Sequence, residues 1–440
     1  MLTEMWKRFL RSPTPNEWNR LWVYAHRMIR LIAPQNDHVL SEDILHVVNL
    51  DRSGQPMLPK LQLLSWTTGR AFLPWLHLLL SPSLSNIYID LNGVRATPVT
   101  AAVIKAIPTT HLRLISFSAL HTTPEVDATL LDLVRKSERL KSIYIQQEIT
   151  SEETSSPNKI EDEREPIELE GLTSIIIRFN SHFTFLSRLF DRTKFLNAQQ
   201  IHIKHLGKTE WLGGNDLFDS LLRSASPGVL HALQYTSSYH GVDITSARIR
   251  SLQSFTLLRT VRITSSCSAA RCRFFLSDDD ISTIAFAMPN LVELYLGDTP
   301  CASTLVNVSM SSLATLAANC AKLTGLQIHF DTTGFINKAL DGSTERTTPP
   351  RLAPNSCKLT QLNVGRTPLG KGADGCWTVG MALLQIFPNL KSIKHHQQLW
   401  REDGWEGVMR VIKVQRNVAS LISGVSVEFA LVRVANARSV

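Results

Sequence analysis

One spacing of apolar residues runs through most of this chain: Leu-x-x-Leu-x-Leu, with Ile, Val, Ala or Tyr at some positions. It occurs as Leu58-Leu61-Leu63, Leu84-Ile87-Ile89, Leu112-Leu114 (without its first apolar residue), Leu140-Ile143-Ile145, Leu172-Ile175-Ile177 and Ala198-Ile201-Ile203. It continues as Leu230-Leu233-Tyr235, Leu258-Val261-Ile263, Leu291-Leu294-Leu296, Leu323-Leu326-Ile328, Leu359-Leu362-Val364 and the decayed pair Leu390-Ile393. The middle positions, from 61 to 393, are separated by 25 to 36 residues. One such frame arises by chance in any buried segment, whereas twelve at a near-constant step do not. The inner alternation puts two apolar side chains on one face of a short strand.

The stretches before the frames carry a different period. Ser277-Asp278-Asp279-Asp280 precedes Ile281, Ile284, Ala285 and Met288, which is an N-cap followed by an apolar helical stripe. Segments 310–320 and 379–387 repeat this pattern, and 130–136 and 217–223 are weaker versions. Pro289-Asn290-Leu291 and Pro388-Asn389-Leu390 then lead into a strand in the same way. Each unit reads as helix, tight turn, strand. No unit can bury its apolar face alone, so the units must stack. The expected fold is α/β: a leucine-rich-repeat solenoid of about twelve helix–turn–strand repeats with a curved parallel sheet.

The domain expectations follow. Residues 1–33, with Trp18, Leu21, Trp22, Ala25, Met28, Ile29 and Ile32 on one stripe, form a helical N-terminal cap. Residues 34–57 are linker, and 58–416 are the array. Segment 148–170, with nine acidic and two basic residues, is a solvated loop insertion, and 337–357, rich in Gly, Pro, Ser and Thr, is a mobile loop. Residues 417–440 are a tail without an assigned structure.

Composition narrows the picture. The chain has 440 residues, a formal charge of +8 and 43% hydrophobic residues, enough to build a core and too many for disorder. The longest apolar stretch, 71–80, is about half of what spans a bilayer, so no membrane association is expected. Six cysteines at 267, 272, 301, 320, 357 and 376 contain no C-x-x-C pair and read as reduced thiols of an intracellular protein, cytoplasmic or nuclear.

Candidate chemistry is sparse. Gly370-x-Gly372-x-x-Gly375 imitates a dinucleotide fingerprint, but no acidic residue ends the following strand, and the repeat already accounts for the flanking elements. A nucleotide-binding enzyme using this loop is the remote alternative. His395 and His396 point to opposite faces of a strand and do not favour one metal ion. Asp278, Asp279 and Asp280 lie before a helix, where they cap it, rather than at calcium-loop spacing. No catalytic, cofactor-binding or metal-ligating residue is assigned, and the chain is read as a non-enzyme without a cofactor.

The informative surface is the expected concave sheet face. Residues beside the inward pairs point out, and they include Tyr88, Arg113, Tyr144, Arg178, His202, Lys204, Gln234, Arg262, Tyr295 and Gln327. These are the candidate partner-binding residues, because Tyr and Arg carry much of the energy of protein interfaces. Twelve strands about 4.8 Å apart give a face on the order of 55 Å long, suited to a protein. Basic residues are spaced singly along it, without the clustering that tracks phosphates, so an acidic or mixed protein target is expected rather than nucleic acid.

Several stretches resemble the F-box and leucine-rich-repeat proteins expanded in mushroom-forming fungi. The segment from Glu17-Trp18 to Leu31 resembles the part just after their F-box, and Leu58-Pro59-Lys60-Leu61 and 79–84 resemble their first repeats. Leu362-Asn363-Val364-Gly365, Ile386-Phe387-Pro388-Asn389-Leu390 and Trp405-Glu406-Gly407-Val408 resemble their last. The resemblance implies a substrate-recognition part of a ubiquitin-ligase receptor. Only 16 residues precede Glu17, too few for an F-box, so a ligase adaptor is an expected partner only if an F-box lies upstream. A free scaffold or decoy without ubiquitin coupling is the alternative.

Overall fold

The structure, a computed structural model, describes residues 14–33, 55–67, 70–91, 95–119, 123–147, 167–179, 189–206, 214–237, 244–265, 274–297, 308–333, 336, 357–365, 367, 369, 373–395 and 404–418. The chain divides into two compact units, Met1–His240 and Gly241–Val440.

The strands of the first unit are β1 (Arg30–Ala33), β2 (Leu63–Thr67), β3 (Asn86–Asp90), β4 (Leu114–Ala119), β5 (Ser142–Gln147), β6 (Ile167–Leu169), β7 (Ser174–Phe179), β8 (Thr193–Phe195), β9 (Gln200–His205) and β10 (Ala232–Ser237). Those of the second are β11 (Ile244–Thr245), β12 (Thr260–Ser265), β13 (Phe274–Phe275), β14 (Glu293–Leu296), β15 (Gly325–Gln327), β16 (Gln361–Gly365) and β17 (Ser392–His395). In the first unit the main ladder runs β1-β2-β3-β4-β5-β7-β9-β10, and in the second β12-β14-β15-β16-β17. These thirteen strands are parallel and follow chain order, as a solenoid-like α/β fold requires. Two short parallel pairs, β6 with β8 and β11 with β13, lie outside them.

Register is residue for residue, apart from one shift between Asn363 and Gly365 where β16 pairs with β17. Leu64 pairs with Ile87, Ile87 with Ile115, Ile115 with Ile143, Ile143 with Ile175, Ile175 with Ile201 and Ile201 with Leu233. In the second unit Val261, Leu294, Leu326, Leu362 and Ile393 pair in succession. All of these side chains are buried. Two backbone devices recur with them. The N–H of a frame's first leucine donates to the carbonyl three residues back: Leu84 to Ser81, Leu140 to Ser137, Leu291 to Met288, Leu323 to Cys320 and Leu390 to Phe387, all between 3.0 and 3.1 Å. Pro289 and Pro388 occupy the second position of that turn, where their fixed φ fits. The carbonyl of the residue after that leucine accepts two N–H groups from the next frame. Arg113 accepts from Lys141 (2.8 Å) and Ser142 (3.0 Å), and Val292 from Thr324 (2.8 Å) and Gly325 (3.2 Å).

Helices return the chain between strands. Pro124–Lys136 starts with Thr123, whose side chain accepts from the Val126 N–H. Asp278–Ala287 buries Ile281, Ile284 and Ala285, and Met310–Asn319 buries Leu313, Leu316 and Ala317. These two helices pack on each other, as do Pro98–Lys105 and Pro124–Lys136. The apolar run near residue 75 forms a 3₁₀ helix, Arg70–Leu79, that buries Leu73, Leu76, Leu78 and Leu79. A helix over 404–418 buries Trp405, Val408 and Ile412 and packs on Ala373–Ile386. Glycine permits that approach, since a Cβ on Gly380 would lie 2.9 Å from Val411 Cγ1.

Four expectations need correction. The first and third frames are Leu61-Leu64-Trp66 and Leu112-Ile115-Phe117, three residues from where the spacing placed them, and Leu63 and Leu114 are half-buried on the other face. Overlapping leucines satisfied both spacings, and pairing with Ile87 and Ile143 selects one. The N-terminal region is not wholly helical: the helix Pro15–Ala25 ends, and Arg30–Ala33 joins the sheet beside Leu63–Trp66. Segment 148–170 is not loop throughout, because its end forms β6. Met57 and Cys357, at the ends of the expected linker and mobile loop, are buried core residues. Residues 34–54, 148–166 and 337–356, and residues 419–440 of the tail, lie outside the described residues.

The corrected register has a direct consequence. Leu64→Ala is expected to destabilise the protein by about 2–5 kcal/mol and Leu63→Ala by under about 1 kcal/mol. Chemical denaturation of the two variants checks the order.

Candidate functional site

Along most strands of the two ladders, buried residues alternate with half-exposed ones, as in β3 and β7. The helices cover the face that holds the buried residues. The other face is open, and it carries most of the candidate residues. In the first unit Tyr88, Tyr144, His202 and Gln234 stand between the two buried residues of β3, β5, β9 and β10, and Arg178 and Lys204 stand one step further along β7 and β9. In the second unit Arg262, Tyr295 and Gln327 hold the between position of β12, β14 and β15.

Arg113 is a correction. It was expected between two inward residues, a place taken by Ser116. Arg113 instead sits exposed in the bend before β4, and its carbonyl receives β5. The three-residue slip of that frame is the reason. Gln327 is a second correction. It has the expected strand position but is buried, and its amide is committed. Its Nε2 donates to the Gly297 carbonyl, and its Oε1 accepts from Asn363 Nδ2 at 2.8 Å. Asn363 Oδ1 in turn accepts from the Gly365 N–H at 3.1 Å. Gly365 has φ +55°, and its missing side chain leaves room for the His329 ring.

Two Tyr–Arg pairs stand out. In the first unit the Arg178 guanidinium carbon lies 5.5 Å from the centre of the Tyr144 ring. The Tyr144 hydroxyl donates to Gln146 Oε1 at 2.8 Å. In the second unit the Arg262 guanidinium carbon lies 4.7 Å from the Tyr295 ring centre. Arg262 also donates to Glu293 Oε2 from Nη2 (2.8 Å) and Nε (3.2 Å). Burial, with the Glu293 charge beside it, raises the Tyr295 pKa above the ordinary tyrosine value, against a smaller opposing effect of Arg262. Gly325 leaves space for this tyrosine, since a Cβ there would be 2.6 Å from the hydroxyl oxygen. Ile176, half-buried between Tyr144 and His202 in the ladder, is an open-face residue that a search for polar types passes over.

The aspartate run works through helix ends. Ser277 and Asp280 form a reciprocal capping box, and Asp280 also accepts from Ser246 Oγ at 2.7 Å. Burial alone would raise the Asp280 pKa, but the hydrogen bonds from Ser246 and Ser277 and the Arg250 charge outweigh it and hold the carboxyl below its usual value. Asp278 reaches the next helix, accepting from the Ser309 N–H (2.6 Å), from Ser309 Oγ (2.8 Å) and from Ser312 Oγ. Among the described residues no group of three His, Cys, Asp or Glu could hold a metal ion, and no helix is long and apolar enough to cross a membrane. Gly375 is buried in the first turn of the helix Ala373–Ile386, while residues 370–372 and His396 lie outside the described residues.

Two measurements probe this arrangement. Gln327→Ala strands the Gly297 carbonyl and Asn363 amide, so a loss of about 1–3 kcal/mol is expected on denaturation. Burial pushes the Cys320 thiol up to about 12, with a lesser contribution from Cys357, and burial raises Cys357 as well. At pH 8 neither thiol should be alkylated in the folded protein, and both should react in denaturant, as site-resolved mass spectrometry would record. The sign for stability follows for Cys320: the folded state keeps its proton while the unfolded thiol loses it near pH ~8.5, so the contribution present below that pH declines as pH rises from there towards about 12, and the raised Cys357 acts in the same direction.

No protein-family model matches this chain, and no curated protein matches it, so its function is read from the geometry of its own surfaces.

Proposed function

We propose that the chain is a non-enzymatic protein-recognition module of the F-box/leucine-rich-repeat type, the part of a ubiquitin-ligase receptor that selects a target. The observation that carries this reading is the open sheet face. In each unit parallel strands in register hold half-buried tyrosines and arginines on one face, with Arg178 against Tyr144 and Arg262 against Tyr295. Rigid aromatic and guanidinium groups on a fixed backbone bind a protein surface with little loss of side-chain freedom. Within each unit a strand spacing of about 4.8 Å spreads these groups over several strands, a shape matched to a protein segment rather than to a small molecule. The free thiols of Cys320, Cys357 and Cys376 suit a reducing compartment, the cytoplasm or nucleus.

The test uses neutral residues of this face. Tyr88→Ala, Gln234→Ala and Tyr295→Ala are combined in the full chain, with Phe286→Ser, an exposed change on a helix, as the control. Proximity labelling in cells is expected to give a defined set of neighbours that falls at least about fivefold for the triple variant and stays unchanged for the control. Equal labelling by both overturns the assignment of the face. Ubiquitylation of the labelled targets dependent on the chain supports the ligase role, and its absence leaves a free scaffold.

A further inference from the structure

The two Tyr–Arg pairs differ in one respect that bears on the partner. Arg262 is neutralised within the protein, since two of its nitrogens donate to Glu293. Among the described residues Arg178 has no such partner. It lies on the Tyr144 ring, and its Nε is buried without a hydrogen bond. Its ladder neighbour on the far side is Lys204, a second cation, and among the described residues neither side chain is recorded in an ion pair. Along the main ladder β4-β5-β7-β9-β10 the open-face strand positions hold no Asp or Glu, and Glu168 of β6 lies in the separate pair with β8. Asp90, on β3, is three ladder steps from Arg178, about 14 Å, and is itself engaged. The exposed bends before β4 and β5 add Arg113 and Lys141 at the edge of the same strands. A lone guanidinium held on an aromatic ring is already oriented, so an arriving anion meets little cost of ordering it.

Resting on the reading of this face as a recognition surface, we infer that the first unit binds an acidic segment of its protein partner, with a carboxylate seated between Arg178 and Lys204. Ile176 precedes Arg178 by two residues on the same face and lies between Tyr144 and His202 in the ladder. It supplies an apolar contact next to the charge, so the recognised segment carries an aliphatic residue beside its Asp or Glu. The second unit, whose arginine is already paired, recognises its part of the partner without a net charge requirement at Arg262.

The probe is a fluorescein-labelled peptide with a leucine between two glutamates, titrated with the full chain and followed by fluorescence anisotropy. Binding is expected to weaken several-fold as salt rises from about 50 to 200 mM. Arg178→Gln combined with Lys204→Gln should weaken it at least about tenfold, and Arg262→Gln should change it less than about twofold. These exposed or half-exposed substitutions should leave the thermal unfolding transition in place. No binding of the glutamate peptide, equal binding of a glutamine version, equal loss in Arg262→Gln, or preference for a phosphoserine peptide or a single-stranded oligonucleotide would each overturn the inference. The recognition surface itself stands or falls separately, on the neutral variants Tyr88→Ala, Gln234→Ala and Tyr295→Ala.

Discussion

Everything in this protein depends on parallel strands stacking residue for residue. A single helix–turn–strand segment has two inward apolar side chains and one helical stripe, too little to offset the entropy of ordering its backbone. Its apolar pair becomes buried only when the next segment lies alongside in the same register. A slip of one residue would turn Ile143 and Ile145 to the open face and bring Tyr144 into the core. The double acceptance by one bend carbonyl, repeated from Ile29, Gln62 and Ser85 through Arg113, Lys141 and Thr173, locks that register just where each strand begins. The four-residue turn before it pairs a carbonyl at the end of the returning segment with the N–H of the frame's first leucine.

The same register builds the surface. Once the buried pairs are aligned, residues of the opposite parity are aligned too, and side chains distant in sequence become neighbours. Arg178 meets Tyr144 from 34 positions away, and Arg262 reaches Glu293 from 31. Small residues make room where the rows are crowded: Gly325 under Tyr295 and Gly365 beside His329. On the helix side, carboxylates link successive helices, with Asp280 tied back to Ser246 and Asp278 tied forward to Ser309 and Ser312. The stack is therefore held by polar bonds on its outside as well as by apolar contact within. The residues of the open face are not those that set the register, so surface and core are specified by opposite parities of the same strands.

Much of this was legible from the chain alone. The apolar spacing determined the parallel strands, and the stripes at 281–288 and 310–320 marked helices that the structure contains. Tyr88, Tyr144, Tyr295, Arg178 and Arg262 were identified as open-face residues by parity, because period-two alternation is a local property. Less legible were positions where two frames overlap. Leu58, Leu61, Leu63 and Leu64 satisfy more than one alignment, and only Ile87 across the ladder decides that Leu64 faces in. Arg113 was misplaced for the same reason. The stripe continuing past Ala25 imitated a helix, but the free edge beside Leu63–Trp66 draws Arg30–Ala33 into the sheet.

Sequence by itself determined the class of the fold and the parity of most strands, those whose apolar residues allow a single alignment, because both follow from the order of apolar residues over a few positions. Tertiary structure decided which open-face residues are available. Gln327 and Tyr144 have equivalent strand positions, yet Gln327 is buried and bonded to Gly297 and Asn363, while Tyr144 remains half-exposed. Arg178 and Arg262 were alike as letters, and they differ because Glu293, on the neighbouring strand, accepts from Arg262, whereas the ladder neighbour of Arg178 is Lys204. Charge pairing across a ladder joins residues about thirty apart in sequence, and short-range spacing holds no record of it.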